Sequence, residues 1–117
     1  MRKIEERMVE AIQTGRSFSL ANTRVTAIDK TGGSAVYLHG NLIATLKWKY
    51  HGLGILLRPS YTLELVQCTL AGWGTVTTRS RLNAICRGLD MACRFGQRKG
   101  QQYFDDQVIH EKQWVTL

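Results

Sequence analysis

The chain has one proline, three cysteines and nine acidic residues in 117 positions. With one proline and no low-complexity tract, it is not a linker or a tail. Cys68, Cys86 and Cys93 are odd in number and irregular in spacing, which excludes a disulfide framework. No run reaches the roughly 18 apolar residues of a membrane span, so no membrane partner is expected. Residues 1–14 are charged and lack the apolar region of a secretion signal. A reducing cytoplasm is the expected compartment.

Catalytic and metal signatures are also missing. There is no GxSxG, no P-loop and no paired-carboxylate motif. Gly72-Trp73-Gly74 lacks the remaining glycine of a dinucleotide loop. His39, His51 and His110 share no ligand spacing with the cysteines, and no CxxC or HxxxH occurs. Scarce acid weighs against metal-dependent nuclease chemistry. No metal, no cofactor and no enzymatic activity are expected.

What the chain does have is positive charge and enough apolar residues for a core. Net charge is +7, which favours polyanionic partners. Hydrophobic residues make up 44%, enough for one globular domain over 1–117.

Ile4, Met8, Ala11 and Ile12 fall at helical spacing, and Gly15 ends that pattern. Period-two alternation predicts a strand over 18–28. Two more are expected at 35–39 and 42–48 around Gly40-Asn41, with Leu42, Ala44, Leu46 and Trp48 on one face and Ile43 on the other. Residues 49–54 read as a loop, and 55–57 and 61–68 as strands. Leu82, Ile85, Cys86 and Leu89 predict a second helix over 78–87 with a threonine cap. A hairpin over 92–105 turns at 97–100, and a last strand covers 108–117. The expected fold is α+β: a curved antiparallel sheet of about six or seven strands with two helices packed on it.

Residues 79–99 hold six positive charges against one negative, Asp90. Arginine forks match phosphate oxygens, and a helix start offers free N–H groups. Arg79, Arg81, Arg87, Arg94, Arg98 and Lys99 are the candidate phosphate contacts. Asn83 and Trp73 are the candidates for bases or sugars, with Trp73 the best placed for stacking. A non-enzymatic nucleic-acid binder is therefore expected. The alternatives are a module that inhibits or redirects a host protein, or a homodimer or other homo-oligomer serving as a minor virion component.

Leu38-His39-Gly40-Asn41-Leu42-Ile43-Ala44, the run from Trp73 to Asn83, and Arg98-Lys99-Gly100-Gln101 resemble small uncharacterised bacteriophage-encoded proteins. The likeness covers roughly residues 34–105, and Thr77-Thr78-Arg79-Ser80-Arg81-Leu82-Asn83 is its most specific part. The resemblance implies a phage accessory protein acting in the host cytoplasm. It implies no chemistry.

Overall fold

The computed structural model describes residues 2–117. Helix α1 (Lys3–Thr14) leads into a six-stranded antiparallel sheet. Its strands are β1 (Phe18–Leu20), β2 (Thr23–Val25), β3 (Gly33–Leu38), β4 (Asn41–Leu53) and β5 (Pro59–Thr69), closed at the far edge by β9 (Trp114–Thr116). Between β5 and β9 the chain inserts helix α2 (Val76–Gly88) and a three-stranded sheet of β6 (Phe95–Arg98), β7 (Gln101–Phe104) and β8 (Gln107–Ile109). The class is the expected α+β.

The buried side chains explain the layering. Met8 and Ile12 of α1 and Leu82 and Ile85 of α2 join Val25, Val36, Leu46, Val66 and Cys68 from one face of the large sheet. Phe95 and Ile109 bring the small sheet into the same core. Strand β3 alternates strictly, with Ser34, Val36 and Leu38 inward.

Several boundaries differ from the sequence expectation. The strand expected over 18–28 is two short strands, because Ala21 turns the chain at φ 51°. Alanine carries none of the turn chemistry that marks such a position. The next hairpin turns at His39-Gly40, with φ of 50° and 77°, one residue earlier than expected. Between Val36 and Tyr37 the pairing with β4 shifts, so Ile43 is an extra residue on its strand. That bulge turns both Ile43 and Ala44 inward, where strict alternation would oppose them. Residues 49–53, expected as loop, continue β4. Residues 55–57, expected as strand, form the tight 3-10 turn Ile55–Leu57 at the end of the β4–β5 hairpin. The last strand is split into β8 and β9 by a turn in which the backbone N–H of Lys112 donates to His110 Nδ1.

No disulfide links the cysteines, although the Cys86 and Cys93 sulfurs lie 2.9 Å apart. Burial pushes the Cys68 thiol up to about 12, so it stays protonated and packs as an apolar side chain.

Leu82 is fully buried at the centre of this core. Leu82→Ala should cost about 2–5 kcal/mol in urea unfolding. A loss below that range would mean that the helices do not share one core with the sheet.

Candidate functional site

The Gly72-Trp73-Gly74 segment is built by close backbone packing. Gly72 takes φ +84°, where glycine bears no steric penalty. A Cβ on Gly74 would stand 2.6 Å from Gln102 Nε2, so a side chain there would push the Gln102 amide aside. Arg79 Nη1 donates to the Gly74 carbonyl at 2.8 Å and to Gln102 Oε1 at 3.1 Å, tying helix, loop and small sheet together. Thr75 then caps α2 by accepting from the Thr78 N–H.

Pinned this way, Trp73 projects from the surface with 58% of its area exposed. It lines a cleft of about 390 Å³ floored by Leu38, Ile43 and Leu70. His39, Asn41, Thr75 and Thr77 supply polar groups on its walls. The β3–β4 bulge is what sends Ile43 into that floor. The cleft adjoins the N-terminus of α2, whose first N–H groups lack intrahelical partners. A second groove of about 500 Å³ starts at Gly72 and runs past His110 and Lys112 to Gly100, in the Lys99-Gly100 turn. Trp73 and Lys99 do not line this second groove, but each is next in sequence to a residue that does, Gly72 and Gly100.

The other sequence-derived candidates are dispersed. Arg81, a candidate phosphate contact, is 3% exposed and its guanidinium is committed inside the protein. Its Nη1 donates to Glu5 Oε2 at 2.8 Å and its Nε to Thr23 Oγ1 at 3.0 Å. A side chain so enclosed is a fold-building residue, and its assignment to a binding surface is corrected. Asn83 is corrected likewise. Its amide donates to the Phe95 carbonyl at 3.0 Å and accepts from the Phe95 N–H at 2.7 Å. Both ends of the amide hold the start of β6, so its orientation is set by the fold and not by a ligand. Arg79 is half-buried and holds the Trp73 loop.

Arg87, Arg94, Arg98 and Lys99 are exposed. Arg87 sits at the far end of α2, about 16 Å of helix rise from its start. Arg94 and Arg98 flank Tyr103 in a groove that also contains Asp105 and Asp106, and the Arg98 guanidinium lies 5.2 Å from the Tyr103 ring. The fold does not bring the six cations into one patch.

Residues that sequence reasoning left unassigned include His39, Asn41, Thr75 and Lys112. His39 belongs to a polar chain: Asn22 Nδ2 contacts its Nε2 at 3.4 Å, and Asn22 Oδ1 faces Arg81. Among the described residues no group of three or more His, Cys, Asp or Glu is placed to hold a metal ion.

A small α+β fold with an aromatic cleft at a helix start is the class the geometry defines, and comparison then places the chain among phage-encoded proteins. It matches the Kyanoviridae Gp96 protein family over residues 1–116 and belongs to that family. The match takes in α1, which lay outside the resemblance at residues 34–105. No curated protein and no solved structure matches the chain. No described helix is long and apolar enough to cross a membrane.

Glu5 contributes to the acid sensitivity of this architecture. Burial alone would raise its carboxyl, but hydrogen bonds from Ser80, Arg81 and the Arg2 backbone, with the Arg81 charge, outweigh burial and hold it below its ordinary value. A carboxyl depressed in the folded state stabilises the fold fully above the ordinary carboxylate range. That contribution is lost as pH falls through the depressed value. Glu5→Gln should abolish this part of the acid transition. It should also cost about 3–5 kcal/mol at neutral pH, because Arg81 is left buried without its counter-charge. Urea midpoints measured across pH for both proteins check this, and parallel curves would contradict it.

Proposed function

We propose that this phage accessory protein is a non-enzymatic binder of single-stranded nucleic acid, acting in the infected cell. The exposed Trp73 ring over an apolar cleft at a helix start carries this reading. A nucleobase has an apolar face to stack on Trp73 and polar edges for His39, Asn41 and Thr77. A phosphate following that base meets the unpaired N–H groups of α2. The groove from Gly72 to Gly100 gives the strand a path, with Lys112 lining it beside Glu111 and Lys99 next in sequence to its Gly100 end. Arg98 extends that path beyond the turn. Arg87 and Arg94 add general attraction through charge and do not share the stacking site.

The ring needs access to both a base face and a phosphate. In a duplex the bases are stacked on one another, so a single strand suits the cleft better.

Fluorescence anisotropy with labelled single-stranded DNA, RNA and duplex DNA tests this at two salt concentrations. Trp73→Ala should weaken single-strand affinity by about 1–3 kcal/mol while leaving the melting temperature unchanged. Lys99→Ala should reduce the salt slope by about 0.7 if it neutralises one phosphate. No binding at low salt would sink the proposal and turn attention to a host-protein partner. Binding insensitive to both substitutions would move the interface away from Trp73.

A further inference from the structure

The β4–β5 hairpin outruns the rest of the sheet. Strand β3 pairs with β4 only as far as Lys47, and β9 pairs with β5 only at Gln67–Thr69. Trp48 is still held, its backbone N–H donating to the Gly32 carbonyl and its indole to Ser34 Oγ; past it no third strand flanks the hairpin, in a molecule 51 Å long. Such a two-stranded ribbon is marginal by itself. One face continues the core outward as Trp48, Tyr50, Tyr61 and Leu63, with the two tyrosine rings 5.4 Å apart. The other carries Lys47, Lys49 and His51.

At its tip Ile55, Leu56 and Leu57 are 89%, 79% and 78% exposed, and Leu53 beside them is 61% exposed. Neither core packing nor turn chemistry accounts for them. Leu56 and Leu57 take φ of 62° and 56°, a conformation that glycine or asparagine adopts more readily. Leucine at both positions works against the turn and adds apolar surface at the point farthest from the core.

The charge around the tip is of one sign. From Trp48 to Leu63 the hairpin has no acidic residue, whereas Lys49 and Arg58 lie in that interval; Glu64 and Lys47 stand level with each other farther from the tip. From this combination we infer that the hairpin tip inserts shallowly into the surface of an anionic lipid bilayer. Aliphatic side chains enter the hydrocarbon edge, the tyrosines sit at headgroup level, and Lys49 and Arg58 meet anionic headgroups. Liquid hydrocarbon accepts three splayed side chains without a preformed shape. A second copy would bring its own Lys49 and Arg58 against these, which like-charge repulsion opposes. The expectation of no membrane partner rested on the lack of a spanning segment, and shallow insertion needs none. Cleft and tip lie at opposite ends of β4, twelve residues or about 40 Å apart, so the inference does not depend on the nucleic-acid reading.

Co-sedimentation of the nuclease-treated protein with phosphatidylcholine vesicles, and with equimolar phosphatidylcholine–phosphatidylglycerol vesicles, tests the inference. Binding should favour the anionic vesicles by about tenfold or more. Leu56→Asn with Leu57→Gly should remove about tenfold of that binding while the melting temperature stays equal or rises. Lys49→Glu with Arg58→Glu should erase the anionic preference. The inference is overturned by absence of binding to anionic vesicles, or by binding that survives Leu56→Asn with Leu57→Gly. It is also overturned if light scattering shows an oligomer that the same pair dissociates, since the tip would then pack against another copy.

Discussion

The Glu5 carboxylate ties the two halves of the chain together. Glu5 and Arg81 are 76 positions apart, and both are almost wholly buried. One Glu5 oxygen accepts from the backbone N–H of Arg2 at 3.2 Å and so supports the start of α1. The other accepts from Ser80 Oγ and from Arg81, fixing α2 against it. Arg81 then reaches Thr23 and Asn22, which orients the first hairpin of the sheet. Two isolated charges in that position would be costly to bury. The surrounding hydroxyl and amide groups complete the network, and no described buried side-chain nitrogen or oxygen lacks a partner.

The cleft depends on this arrangement. Helix α2 brings Thr75 and Thr77 toward the β3–β4 turn only because its inner face is locked on α1 and the sheet. Arg79, on the same helix, secures the glycine loop that carries Trp73. An arginine inside the core and another behind the cleft thus set the position of an exposed tryptophan. The inserted three-stranded sheet lines the neighbouring groove with Gly100 and Gln102.

Much of the fold was legible from local pattern. Both helices followed from apolar residues at helical spacing. The β3–β4 and β6–β7 hairpins followed from alternation and glycine turns. The misplacements have local causes. Ala21 makes a turn without turn chemistry, the Ile43 bulge interrupts alternation, and the apolar Ile55-Leu56-Leu57 mimics a strand while forming a turn. For the site, the glycine frame around Trp73 was readable. Arg81 and Asn83 were not, because burial and a backbone partner are supplied by Glu5, Thr23 and Phe95 from elsewhere in the chain.

The sequence by itself determined the α+β class, the basic character, the capped second helix and the prominence of Trp73. Each of these depends on residue type or short-range spacing. Only the tertiary structure decided which arginines are available to a ligand. Six cations close in sequence were divided among a buried ion pair, a loop clamp, a helix end and three positions on the β6–β7 hairpin. Chain proximity does not fix spatial proximity once a helix, a turn and a second sheet intervene. The exposure of the β4–β5 tip was decided the same way: an apolar turn is buried or bare according to whether another strand reaches it, and here none does.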